Sequence, residues 1–214
     1  MIYVTGDIHG NQFKWLEQID PVLKEGDIII VCGDFGIGFF QQKYSSEESF
    51  YDFISVQPYT VLFVDGNHEN FELLDDYPVS RWHGGKVHFI KESVIHLMRG
   101  QIYTIDGKTF FTFGGGYSCD IETRVEHRSW WQQELPTTQE WNEALNNLLQ
   151  YNFHVDYIIT HDCPFHIKEL LHTRTIPCNL NDYTLPHLRN IDEVMDDIEQ
   201  QVTYKLWFSG HLHI

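Results

Sequence analysis

Asp27-Ile28-Ile29-Ile30-Val31-Cys32-Gly33-Asp34 is an apolar run that stops abruptly at a glycine and a carboxylate. A short continuous apolar run bounded by a turn signal fits a buried strand of an α/β sheet. The same pattern recurs at Ile2–Thr5, Thr60–Val64, Tyr157–Thr160 and Lys205–Ser209, all read as buried strands. Between them lie segments of helical periodicity. Asn11–Leu23 carries Phe13, Leu16 and Ile19 on one face, and Glu47–Val56 and Phe71–Tyr77 also read as helices. Thr138 is placed to cap a helix through Tyr151 that presents Trp141, Leu145, Leu148 and Leu149. Asn190–Gln201 repeats the pattern with Ile191, Val194, Met195 and Ile198. Val87–Gly116 differs: it alternates, and Asp106-Gly107 joins Ile102–Ile105 to Thr109–Phe113 as a hairpin. It reads as an antiparallel part following an α/β part. The expected architecture is a layered α/β fold with mixed sheets. With no linker or repeat, residues 1–214 are expected to form one domain. The least regular stretches are Tyr117–Thr137 and His172–Arg189.

Composition narrows the partners. The chain of 214 residues is 42% hydrophobic and has net charge -17, from 31 acidic and 14 basic residues. That balance opposes extended contact with nucleic-acid phosphates, which needs clustered Lys and Arg. Small phosphorylated substrates remain compatible, because a bound cation can dominate its own surroundings. No apolar run reaches bilayer length, and Met1–Thr5 leads directly into Gly6-Asp7, so a cytoplasmic protein without a signal peptide is expected. Cys32, Cys119, Cys163 and Cys178 form no C-x-x-C pair and read as idle thiols. The sequence carries nothing on oligomeric state.

Each expected strand ends in residues able to ligate a metal: Asp7 and His9, Asp34, Asn67, His161, and His211 and His213. Functional loops follow the carboxyl ends of strands in such folds, so all five segments are expected at one edge. Asp7 with His9, and His211 with His213, have the i, i+2 spacing that points two side chains the same way on extended backbone. A carboxylate such as Asp34 has two oxygens and can bridge two cations. Any one of these residues alone is more readily a turn carboxylate or a structural histidine. Eight other histidines (His83, His88, His96, His127, His154, His166, His172 and His187) lack such context and read as structural. Seven oxygen and nitrogen donors together suit two divalent cations sharing one ligand.

In this order the motifs resemble the signature of the calcineurin-like metallophosphoesterase superfamily: Asp-x-His, Gly-Asp, Gly-Asn-His-Asp/Glu, His and Gly-His-x-His. The resemblance runs from Asp7 to His213. It implies a four-layer αββα sandwich with two mixed sheets and a dinuclear metal site at the carboxyl ends of strands. It assigns Asp7, His9, Asp34 and His213 to one cation, and Asp34, Asn67, His161 and His211 to the other. The ions implied are Mn²⁺, or an Fe/Mn or Fe/Zn pair. The implied activity is that of a phosphatase or phosphodiesterase in which a hydroxide bridging the metals attacks phosphorus, with His68 as proton donor. The alternatives are a nuclease acting on nucleic-acid ends, and an inactive binding module of the same fold, which should lack several ligands. One branch of the superfamily continues Gly-Asp with x-x-Asp-Arg-Gly, where this chain has Phe35-Gly36-Ile37-Gly38-Phe39. The phosphate-clamping Arg of that branch is therefore missing, as is the carboxylate expected to orient His68.

A second segment, Gly114-Gly115-Gly116-Tyr117-Ser118-Cys119-Asp120, leads to Arg124, Trp130-Trp131 and Glu134. It is similar to a segment of small phage and bacterial metallophosphoesterases. It makes Arg124 the candidate phosphate clamp, unless Arg124 pairs with Glu122 or Glu126, and it leaves Trp130 and Trp131 to pack in the core. The chain stops at Ile214, one residue past His213, where the resemblance implies further bracing strands.

Overall fold

The computed structural model describes residues 1–38, 45–171 and 186–213. Its ten strands are β1 (Ile2–Thr5), β2 (Ile28–Val31), β3 (Thr60–Phe63), β4 (Val79–Trp82), β5 (Gly85–Lys91), β6 (Val94–Leu97), β7 (Gln101–Ile105), β8 (Lys108–Phe113), β9 (Tyr157–Thr160) and β10 (Leu206–Phe208). One sheet has the order β1-β2-β3-β6-β5-β4 and the other β10-β9-β8-β7. Both sheets are mixed. β1, β2, β3 and β6 run parallel, β5 is antiparallel to β6, and the edge strand β4 is antiparallel to β5. In the second sheet β10, β9 and β8 are parallel and β7 is antiparallel.

The side-chain period of two on each strand builds the layers. On β2, Ile29 and Val31 join an apolar cluster with Phe50, Ile54 and Trp15, while Ile30 joins a separate cluster with Leu62, Ile95 and Phe110. On β8 and β9, Phe111, Phe113 and Ile158 face a third cluster with Trp141, Val194 and Ile198, while Phe110 and Ile159 face the middle one. Three apolar layers therefore alternate with two sheets, helices covering both outer faces. This is the four-layer αββα arrangement.

The helices are α1 (Gln12–Lys14), α2 (Ser45–Ser55), α3 (Phe71–Asp75), α4 (Thr138–Gln150), α5 (Phe165–Leu170) and α6 (Ile191–Gln201). Four sequence expectations change. Asn11–Leu23 is not one α-helix. After α1, a π-helical turn covers Trp15–Ile19 and a 3-10 turn covers Asp20–Val22. Pro21 has no N–H to continue the ladder, and Trp15 and Ile19 fill the core while Phe13 and Leu16 face solvent. The N-cap of α4 is Thr137, in a capping box with Glu140, and Leu149 is exposed. Val87–Gly116 is not one antiparallel part: β6 runs parallel to β3 and β8 to β9, so this segment carries the chain from one sheet to the other. Finally β4 was not expected, because its residues are largely exposed and show no apolar signal. Most of His172–Arg189, with Cys178, lies outside the described residues.

Candidate metal centre

β1, β2 and β3 are neighbours in one sheet, and β9 and β10 in the other. The loops after their carboxyl ends hold Asp7 and His9, Asp34, Asn67 and His68, His161, and His211 and His213. All of these meet at one edge.

The loops do not present their ligands from extended backbone, as the i, i+2 spacing suggested. His9 (φ 50°), Asp34 (φ 49°), His211 (φ 68°) and His213 (φ 51°) are left-handed. Non-glycine residues there cost energy and persist where surrounding contacts hold them. Two glycines allow the approach. A Cβ on Gly33 would sit 2.2 Å from His161 Nδ1, and one on Gly66 2.0 Å from Asp34 Oδ1. Neither neighbour has room to move, so only glycine fits.

The donor atoms fall into two groups. His9 Nε2 lies 3.7 Å from both Asp7 Oδ2 and Asp34 Oδ2, and His213 Nε2 lies 2.6 Å from Asp7 Oδ2 and 3.1 Å from His9 Nε2. On the other side, His161 Nε2 lies 3.4 Å from Asp34 Oδ1 and 3.0 Å from Asn67 Oδ1. Asp34 thus turns one oxygen to each group. His211 joins less tightly: its ring packs edge-on to His161 with centroids 4.8 Å apart, and its backbone N–H donates to Asp7 Oδ1. His68 comes closer than a bystander, with a ligating atom within 4.8 Å of those of His9 and Asp34. Its backbone N–H donates to Asp34 Oδ1 at 2.8 Å.

The donor set fits cations. The Nδ1 of His161 faces the Cys32 carbonyl at 2.8 Å, which can only accept, so Nδ1 carries the proton. The Asn67 amide nitrogen donates to Ser118 Oγ. Three electron-rich atoms, His161 Nε2, Asn67 Oδ1 and Asp34 Oδ1, therefore point at one another inside the protein. A positive charge between them removes the repulsion. Among the described residues Asp7 Oδ2 is likewise buried without an aligned hydrogen bond, despite its 2.6 Å approach to His213.

The electrostatics agree. Burial works against the Asp7 carboxylate, but the His9 imidazole 3.7 Å away, with His161, His213 and the His211 backbone N–H, outweighs it and holds the carboxyl well below the usual range. Burial likewise opposes a charged His161, yet Asp34 and Asp7 raise it. Burial pushes His211 down to about 4. His68 also falls to about 4, through burial against the pull of Asp34, with Arg124 and His9 adding to the fall.

Arg124 lies at this site. Nε donates to Asp120 Oδ1 at 2.6 Å and Nη1 to the Ser129 carbonyl at 2.8 Å. Its two terminal nitrogens sit 3.3 Å from the two ring nitrogens of His68, which describes a guanidinium laid over an imidazole. Its carboxylate partner is Asp120, rather than Glu122 or Glu126. Trp130 and Trp131 are buried.

Three supports escaped the sequence reading. Glu69 is buried and accepts the backbone N–H groups of Phe35, Gly36 and Ile37, pinning the loop after Asp34; its place in Gly66-Asn67-His68-Glu69 was visible, its task was not. Asp65 receives Arg99 through Nε at 2.9 Å and Nη2 at 2.6 Å and lies 3.2 Å from His96 Nε2. Arg99 also donates to the Gln133 carbonyl, and the Asp65 carbonyl accepts from Gly115, so the loop carrying Asn67 is tied to the glycine-rich loop. Lys168 bridges Asp162 and Asp192 at 2.6 Å each, behind His161.

A family model described as calcineurin-like phosphoesterase matches residues 1–214. The lariat debranching enzyme of Homo sapiens is 24% identical, over 100% of this chain and 42% of the relative. Those of Drosophila melanogaster and Mus musculus are 25% and 24% identical, over 99% and 100% of the chain and 42% and 41% of the relatives. The chain spans about 42% of the length of the first of these.

Proposed function

The chain belongs to the calcineurin-like phosphoesterase family, and we propose that it is a metal-dependent hydrolase of phosphoric esters built as one domain over residues 1–214. The observation that carries this is Asp34, whose two oxygens face separate donor groups. Asp7, His9, Asp34 and His213 would hold one divalent cation, and Asp34, Asn67, His161 and His211 the other. Mn²⁺, or an Fe/Mn or Fe/Zn pair, suits these mixed ligands. When bound, the cations supply charge for the phosphoryl oxygens and acidify water.

The chain's own residues do the rest. Asp34 fixes the spacing of the two donor groups. His68, beside them, donates a proton toward the leaving oxygen; a phosphoryl group set against it supplies the negative charge that raises its pKa from about 4. Arg124, anchored by Asp120, holds the His68 ring and offers its remaining N–H edge to phosphoryl oxygens. Net charge of -17 favours small phosphorylated substrates over long nucleic acid, in the cytoplasm. No helix among the described residues is long and apolar enough to cross a membrane. The debranching relatives give specific weight to a second reading, phosphodiester cleavage, with nucleic-acid ends among the candidates.

Purified protein loaded with Mn²⁺ should bind about two ions and hydrolyse bis-p-nitrophenyl phosphate faster than p-nitrophenyl phosphate if diesters are preferred. Failure to bind metal, or to hydrolyse either ester with metal bound, would overturn the hydrolase reading.

A further inference from the structure

We propose that Lys14 is a specificity residue which binds a second phosphate on the retained side of the substrate, so that the enzyme selects esters carrying two neighbouring phosphates. This rests on the phosphoester-hydrolase reading above. A cavity of about 550 Å³ opens beside the donor cluster, lined by Asp7, His9, Asn11, Lys14, Ser209 and His213 among others. Cavities of this order hold a ligand larger than one phosphoryl group. Lys14 is half-buried in its wall. Nζ donates to the Asp7 carbonyl at 2.6 Å, which fixes the ammonium beside the cluster and occupies one of its three donors.

Charge makes the placement telling. In a chain of 31 acidic and 14 basic residues, a cation readily finds a carboxylate. Arg99, Lys168, Lys86, Lys205 and Arg124 each pair with a carboxylate. Among the described residues Lys14 has no carboxylate within ion-pair distance, although it stands beside the donor cluster.

The Arg124 guanidinium and the Lys14 ammonium stand beside different imidazoles of the cluster. The His9 ring contacts His68 edge-on, with centroids 5.0 Å apart, and His213 with centroids 5.2 Å apart. Arg124 lies over His68, and Lys14 shares its cavity with His213. With the leaving oxygen directed toward His68, the cavity that Lys14 lines is open to a retained substituent on phosphorus, and the proposal places the retained half there. A monoester reaches one cation; a diester with a further phosphate reaches both.

The test uses two pairs of chromogenic esters differing by one phosphate on the retained side. One pair is thymidine 5′-(p-nitrophenyl phosphate) with and without a 3′-phosphate, and the other is the p-nitrophenyl esters of ADP and AMP. In the Mn²⁺ enzyme the two-phosphate member of at least one pair should have the higher kcat/KM. The responding pair tells whether the second phosphate lies across a sugar or directly adjacent. Lys14→Gln should reduce the ratio within that pair by about 10–150-fold, the range of a lost charge-assisted hydrogen bond, and Lys14→Arg should restore much of it. Independently of turnover, calorimetry should show thymidine 3′,5′-bisphosphate losing affinity for Lys14→Gln relative to thymidine 5′-phosphate. An equal fall in both members of each pair would make Lys14 only a brace for Asp7 and overturn the proposal, as would unchanged ratios. If the wild type turns over no ester, the hydrolase reading fails, while the calorimetric comparison still decides the role of Lys14.

Discussion

Two clusters of histidine and carboxylate lie close together in this protein, and they resolve the same electrostatic problem in opposite ways. In one, Asp65 meets His96, which meets His88 through their Nδ1 atoms at 3.2 Å, and the Arg99 guanidinium fills the space that a cation would take. In the other, Asp7 and Asp34 stand among five imidazoles, and among the described residues no guanidinium or ammonium pairs with either carboxylate. The first cluster is closed: charges cancel internally, and Asp65 lies below the usual carboxylate range because Arg99 and His96 outweigh its burial. The second is open, its lone pairs converging on each other. Similar residues make a brace where the protein brings its own cation and a binding site where it does not.

The largest effect expected from breaking the open cluster is at Asp34. Asp34→Asn replaces one bridging oxygen by a nitrogen donor and should lose both cations and nearly all hydrolysis, whereas Asp7→Asn should chiefly weaken one. Metal content of the purified variants measures this, and full occupancy in Asp34→Asn would remove the shared ligand from the account. The closed cluster should answer differently. Arg99→Met leaves Asp65 buried without its main partner, a loss typically of about 3–5 kcal/mol, equivalent to roughly 6–20 °C in Tm for a chain of this size. His213→Ala in metal-free protein should change Tm less, because the His213 side chain is largely exposed and Asp7 keeps His9, His161 and the His211 backbone N–H, which do more to hold its charge. Calorimetry of both variants under chelation tests the contrast.

Next come the groups beside the open cluster. His68→Asn should keep both metals and slow esters with poor leaving groups by roughly 10²–10⁴, with much less effect on p-nitrophenyl esters. Equal losses on both would reduce His68 to a positioning group. Arg124→Ala should lower kcat/KM by roughly 10–150-fold, the range of a lost charge-assisted hydrogen bond. Arg124→Lys should recover only part, because a point charge cannot lie flat over the His68 ring. Wild-type kinetics for Arg124→Ala would leave Arg124 a purely structural partner of Asp120.

How far the sequence could be read differs between the clusters for a physical reason. The open cluster was legible because its members sit where apolar runs end, so local pattern alone places Asp7, Asp34, Asn67 and His161 at strand ends. A layered α/β fold with mixed sheets was legible through the same runs and the Asp106-Gly107 hairpin, and the four-layer order only through the family resemblance. The closed cluster was not. His88 and His96 lie on β5 and β6 among residues that alternate for packing, and Arg99 follows β6 with no motif around it. Their association depends on register between strands, here His88 opposite His96, which no spacing along the chain reveals. The α1 segment failed for a related reason: Trp15, not Phe13 or Leu16, is the side chain the core accepts. Lys14 has no local signal at all; its proposed role rests on its place in the cavity wall and on the absence, among the described residues, of a carboxylate within ion-pair distance.

The smallest expected effect probes the closed cluster by pH. Burial, with the neighbouring His96 acting in the same direction, lowers His88 from 6.5 to about 4, against a weaker opposing pull from Asp65. The unfolded chain therefore binds a proton near pH 6.5 that the folded chain refuses until about pH 4. Between those values the unfolded state carries more protons, so stability rises with pH across the window and is lost on acidification. From pH 6.5 to pH 5 the difference amounts to about 1.6 kcal/mol, since the slope reaches its full 1.36 kcal/mol per unit only below the unfolded pKa. His88→Gln cannot take up that proton, so its stability should fall less over the same interval. Measuring both proteins by urea unfolding in chelator lets the open-cluster histidines titrate equally in each and cancel in the difference. Parallel curves for the two proteins would mean that His88 accepts its proton in the folded state, and that the closed cluster is more accessible to water than its burial implies.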